Sequence, residues 1–166
     1  MEFRLEQVFP GPVEAVEAAL TDPSFLERLG QLPKLGRPEP LEQREEGPVL
    51  VQRTRYRFVG DLSRAVTRVV DPARLTWVEE LTLDRSSHRG SFRIVPDHYA
   101  DRLRCAGTME LLPEAGGSTR RVTRGDLVVR MPLVGHRVER AILSGMDEHG
   151  QAEVQVMDQW LAEHPR

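Results

Sequence analysis

The sequence predicts an α+β fold in which a series of antiparallel strands is followed by one long C-terminal helix. Three observations carry this. Period-two alternation of apolar and polar residues recurs in segment after segment up to Met131. The connections between the later segments are short and turn-like, with Gly116-Gly117 reading as a hairpin turn. From Pro132 onward the apolar period switches to that of a helix and stays there to about Glu163. The chain of 166 residues has the size of one domain and is read as one, spanning 1–166.

The first strand alternates Phe3, Leu5, Gln7 and Phe9 with Glu2, Arg4 and Glu6. Gly11-Pro12 opens a helix, since proline suits a first turn, and Val13, Val16, Ala19 and Leu20 share its apolar face. Thr21-Asp22-Pro23 caps and restarts a second short helix, with Phe25, Leu26 and Leu29 as its apolar face and Gly30 as its stop. Gly30 to Pro48 is rich in proline and glycine and reads as a loop with at most a short edge strand. In the next strand, Val49 to Phe58, Leu50, Gln52, Thr54 and Tyr56 face one way and Arg53, Arg55 and Arg57 the other.

Leu62, Ala65, Val66, Val69 and Val70 have helical spacing, which predicts a helix over Asp61 to Val70 that Asp71-Pro72 ends. Three strands follow: Leu75 to Leu83, with Trp77, Glu79 and Leu81 in phase; Ser87 to Val95, with His88, Gly90, Phe92 and Ile94; and Leu103 to Leu111, with Cys105, Gly107 and Met109. The return strand, Arg121 to Met131, turns Leu127 and Val129 inward. The final helix spans roughly 45 Å at 1.5 Å per residue. Its stripe is Val138, Ile142, Met146, Val156, Met157 and Trp160, and Gly145 and Gly150 inside it predict a bend or a close approach to the sheet.

Composition excludes several functions. The net charge of -3 argues against general nucleic-acid binding, which relies on a strongly basic face. No apolar run approaches the roughly 20 residues of a membrane span, and Glu2, Arg4 and Glu6 break any signal-peptide pattern at the start. The single cysteine, Cys105, forbids an internal disulfide and fits a reducing, cytoplasmic setting. Lys34 is the sole lysine and asparagine is absent, a bias expected of a high-GC genome.

Two stretches resemble a known family. Pro12-Val13-Glu14 through Ala19-Leu20-Thr21-Asp22-Pro23 is similar to its opening, and Arg124 to Gly135, ending Met131-Pro132-Leu133-Val134-Gly135, is similar to its strand-to-helix junction. Glu139 and Trp160-Leu161 follow at the family's spacing. With the order of elements, these resemble the START-like helix-grip superfamily, also called SRPBCC or pollen-allergen-like, and within it a bacterial domain family of uncharacterised function. The resemblance implies a seven-stranded curved antiparallel sheet wrapped around the long helix, with two short helices after strand 1. It also implies an apolar cavity of several hundred cubic ångströms between sheet and helix. Relatives bind lipids, sterols, polyketides or other apolar small molecules, and a minority catalyse cyclisation or dehydration. The motifs are structural and transfer no catalytic residue.

The expected ligand is therefore a hydrophobic small molecule or lipid, lined by Leu50, Tyr56, Trp77, Glu79, Leu81, His88, Phe92, Met109, Leu127, Ile142, Met146 and His149. Tyr56, Glu79 and His149 would orient a polar end of it. His149 and Glu153, four apart, share a helix side and are expected to touch. In an enzymatic alternative of the cyclase or dehydratase type, Glu79 or His149 would be the general acid or base. A protein-interaction module is a second alternative. His88, His149 and Glu153 offer metal-ligand chemistry, but nothing in their spacing makes them converge, and no metal or cofactor is expected. Cys105 reads as an inert core thiol. Arg120, Arg121 and Arg124 form a basic cluster read as a solvated strand face opposite Glu110 and Glu114. The chain is expected to be a monomer, or a dimer through an exposed strand edge.

Overall fold

A computed structural model describes residues 1–165. The order is β1 (Glu2–Phe9), α1 (Val13–Leu20), α2 (Pro23–Leu29), β2 (Glu39–Glu46), β3 (Val49–Arg57), α3 (Arg64–Thr67), β4 (Thr76–Asp84), β5 (Arg89–Pro96), β6 (Leu103–Pro113), β7 (Thr119–Val129) and α4 (Gly135–Glu163). The strands form one antiparallel sheet in the order β1-β7-β6-β5-β4-β3-β2. This is the helix-grip architecture the sequence implies: successive hairpins build β2 to β7, and β1 closes onto β7.

Local chemistry explains the helices that flank β1. Pro12 stands at the N-cap of α1. Asp22 caps α2 by accepting a hydrogen bond from the Ser24 amide at 2.7 Å, and Pro23 occupies the first turn, where no amide proton is needed. Their apolar faces pack with Phe9, Met157 and Trp160 into one core under the C-terminal half of α4, where Phe25 meets Trp160 edge-on at 5.6 Å. A second core, built on Cys105, Leu127, Val129 and Val138, lies under its N-terminal half. Leu50, Leu81 and Leu83 form a third on the sheet.

Two expectations are corrected. The Pro-rich stretch holds a full eight-residue edge strand, β2, with a register shift between Pro40 and Glu42. Five of its eight side chains are charged and seven are exposed, so it carries no inward apolar rhythm to read. The helix over 61–70 shrinks to the single turn α3, capped by Ser63. A second short turn follows at Pro72–Arg74, capped by Asp71. Of the predicted stripe, Val70 is buried and Leu62 and Val66 are half-buried, while Ala65 and Val69 are exposed; four residues cannot nucleate a stable helix without packing.

The long helix begins at Gly135, three residues later than predicted. The Glu139 carboxylate accepts from the Val129 amide at 3.0 Å and bonds His136 at 2.9 Å, tying the end of β7 to the first turn of α4. These bonds hold the Glu139 carboxyl below its usual range, the Val129 amide foremost. The two mid-helix glycines differ. A Cβ on Gly150 would sit 2.7 Å from the Gln7 amide nitrogen, so α4 touches β1 there; a Cβ on Gly145 would meet nothing within 4 Å.

A third glycine fixes the sheet. Gly107 of β6 faces Gly125 of β7, and a Cβ on Gly107 would run into the Arg124 carbonyl oxygen. Backbones this close mark a tight bend. Gly107→Ala is expected to cost more than about 3 kcal/mol or to prevent folding. Gly145→Ala is expected to raise stability by up to about 1 kcal/mol. Urea denaturation of the two variants checks both.

Candidate functional site

The site is set by where α4 runs. Its backbone lies closest to β1 and β7 and stands off from the strands beyond them. The concave faces of β3 to β6 are therefore covered only in part. Trp77, Glu79, Phe92 and Met109 on the sheet, and Ile142, Met146 and His149 on α4, are half-buried and keep accessible surface. Tyr56 and Leu81 are nearly closed off, and Tyr56 stacks on Trp77 at 6.0 Å with 22° between planes. Gly145 is in helical phase with Ile142 and His149, and a Cβ there would meet nothing within 4 Å.

Three residues expected in the lining belong elsewhere. Leu50 and Leu127 are fully buried inside apolar clusters and present no surface to a guest. His88 is not on the inner face of β5, which begins one residue later. It sits in the β4–β5 turn at φ 54°, and its Nδ1 bonds the buried Glu17 carboxylate of α1 at 2.8 Å. That contact takes it away from His149 and Glu153, so the three metal-type residues do not converge.

The form of the space also differs from the expectation. Two depressions, of about 400 and 430 Å³, are open hollows beside α1, α2 and β2, lined by residues such as Glu27, Arg37 and Pro38, and Glu17, Asp22 and Arg85. Neither hollow lies between the sheet and α4, where the chamber of several hundred cubic ångströms is expected.

Polar groups cluster at one part of the cleft, the partly covered face beside α4. Arg121 points to the concave side, where its Nε donates to Gln7 at 3.0 Å and its Nη2 pairs with Glu153 of α4. Its guanidinium lies 4.9 Å over the Phe9 ring. This corrects the expectation that Arg121 shares the solvated hairpin face with Arg120 and Arg124. Only those two are there, paired with Glu6 and Glu114 and with Glu110. The signal is present in the sequence: Arg121 is in phase with Leu127 and Val129. Glu153 takes Arg121, not His149, as its bonding partner.

Glu79 and His149 have no such partner. Glu79 makes no hydrogen bond among the described residues, and burial, with the nearby Glu153 charge added, pushes its carboxyl up to about 7. The Nδ1 of His149 is buried and unbonded, and burial lowers the ring's basicity against the pull of Glu153. Burial likewise lifts the Tyr56 hydroxyl well above its ordinary value. The Cys105 thiol, pushed up to about 12 by burial, is not a nucleophile at neutral pH. The inner wall thus holds one buried, unbonded nitrogen, His149 Nδ1, and the partly open, unpartnered Glu79 carboxyl.

The profile of the family described as "Protein of unknown function (DUF2505)" matches residues 4–161. The chain belongs to this family. No curated protein matches the DUF2505 chain in sequence. Solved structures do match in fold. TTHA0849 of Thermus thermophilus is 23% identical over the whole of both chains, with a TM-score of 0.66. The Zhui aromatase/cyclase of Streptomyces sp. R1128 is 16% identical, covering 100% of this chain and 96% of that one, at 0.64. Norcoclaurine synthase of Thalictrum flavum, solved in complex with dopamine and hydroxybenzaldehyde, is 16% identical, covering 100% and 88%, at 0.63. These likenesses establish the helix-grip fold of the DUF2505 chain. No described helix is long and apolar enough to cross a membrane.

Glu79 gives the site a pH signature. Its carboxyl titrates near 4.5 unfolded and about 7 folded. The native state therefore holds the proton more tightly, its contribution is complete below pH 4.5, and it is lost as pH rises through 7. Glu79→Gln is expected to be more stable than the parent at about pH 8, by an amount on the order of 3 kcal/mol, and equal to it at about pH 4. Urea denaturation at the two pH values measures the difference, and the His149 contribution cancels because both proteins carry it.

Proposed function

We propose that the protein binds an apolar small molecule or lipid with one polar, hydrogen-bonding end, between the concave face of β3 to β6 and α4. The observation that carries this is the pairing of partly open apolar residues with the unpartnered Glu79 and His149. A buried ring nitrogen such as His149 Nδ1 is normally bonded, and a guest hydroxyl would bond it and the partly open Glu79 carboxyl together. The Tyr56–Trp77 stack suits a flat ring. Two relatives in fold, named as an aromatase/cyclase and as a synthase bound to dopamine and hydroxybenzaldehyde, support an aromatic guest. A guest burying about 300 Å² of apolar area gains roughly 7 kcal/mol before the cost of immobilising it.

One observation favours an enzymatic second reading. A carboxyl titrating at about 7 is matched to proton transfer at neutral pH. In that reading Glu79 is the general acid or base of a cyclase- or dehydratase-type reaction. Glu79→Gln would then keep binding and abolish turnover.

Mass spectrometry of the purified protein, native and then denatured, is expected to release a small molecule. A panel of fatty acids, sterols and aromatic polyketides is expected to raise the melting temperature, since a ligand of the native state stabilises it. Ile142→Trp, which fills the cleft, is expected to cancel that rise without unfolding the protein. An empty protein that no panel member stabilises would remove the proposal.

A further inference from the structure

The arginines are not evenly neutralised. Away from one end of the sheet, every described arginine, and Lys34, lies within ion-pair distance of a carboxylate. The described arginines without such a partner all lie at the end where β3, β5 and β7 finish and α4 begins. Arg57, Arg64, Arg68 and Arg74 follow one another along the β3–β4 connection. Arg102 precedes β6, and Arg130, Arg137 and Arg140 flank and enter the first turns of α4. All are exposed. The acids on these connections are fewer: Asp61, Asp71 and Asp101, together with Asp97, which Arg55 occupies. Val66 of α3 packs against the Val129–Val138 core, so the β3–β4 connection and the start of α4 form one surface.

The same end carries apolar side chains aimed at water. Leu133, just before α4, is fully exposed and held at φ 66°, a conformation that leucine adopts only at a cost. Val59 and Val69 on the β3–β4 connection are 56% and 44% exposed. Val59 and Val69 are ten residues apart on one connection and Leu133 lies on another, with arginines between them.

From this charge and shape we propose that this end docks on an anionic lipid surface. Unpaired arginines are attracted to acidic headgroups, and isolated apolar side chains insert at the acyl boundary without needing a matched partner shape. A protein interface would instead need a continuous, packed apolar centre, which these separated residues do not supply. The proposal does not depend on what the cleft holds.

The full chain is sedimented with vesicles of phosphatidylcholine alone and of phosphatidylcholine with phosphatidylglycerol. Binding is expected only to the anionic vesicles, falling as salt rises. Arg64→Gln and Arg68→Gln are each expected to weaken it about fivefold, and Leu133→Ser about tenfold. Arg93→Gln, which alters a paired arginine on the sheet, is expected to leave it unchanged. All these positions are exposed, and unchanged melting temperatures confirm that the fold is intact. The proposal is overturned if the anionic vesicles bring down no protein, if both vesicle types bind alike, or if the Arg64, Arg68 and Leu133 variants bind as the parent does. Capture by polyglutamate without capture by vesicles would also overturn it, assigning the surface to an acidic protein.

Discussion

The Arg121–Glu153 pair sets how α4 lies on the sheet. Both side chains are nearly closed from water, and Gln7 completes the guanidinium's bonding. Desolvating two charges is costly, so such a pair holds position more than it adds stability; removing one partner strands the other at a cost of about 3–5 kcal/mol. Three residues before Glu153, Gly150 lets the helix backbone close onto Gln7. Helix, β1 and β7 are thus drawn together at one line. At the N-terminal end Glu139 holds the helix to β7, and at the C-terminal end Phe25 and Trp160 hold it to α2.

A helix fixed along β1 and β7 covers β3 to β6 only in part. The chemistry of the cleft follows from that asymmetry. On the covered side the interior charges are paired and apolar side chains interlock. On the other side Trp77, Phe92 and Met109 keep surface, and Glu79 is left with a neighbouring carboxylate and no donor. The charge of Glu153 that fastens the helix also helps lift the Glu79 carboxyl toward neutrality. Position of the helix and acidity of the cleft are one arrangement.

Much of this is legible in the residues. Alternation and the switch to helical spacing fix the order of elements, and the resemblance supplies the curved sheet around the helix. Inward phase picks out Trp77, Glu79, Phe92, Met109, Ile142, Met146 and His149, and all seven are half-buried. Phase cannot tell a side chain at a cleft wall from one sealed in a core, which is why Leu50 and Leu127 read as lining. His88 escapes because one residue of turn, at positive φ, breaks the phase of β5. β2 escapes because a charged edge strand has no buried face to write a rhythm. Arg121 is misplaced because its basic neighbours in sequence suggest one cluster, although neighbours along a strand point to opposite faces.

The meeting of Gly107 with Gly125 has a wider consequence. Because bare main chain, not side-chain bulk, creases the sheet between β6 and β7, the room beneath the helix is drawn by the backbone itself. Residues facing that room can then be exchanged without redrawing it. The likeness in fold to TTHA0849 at 23% identity is of this kind: the outline persists while most side chains differ.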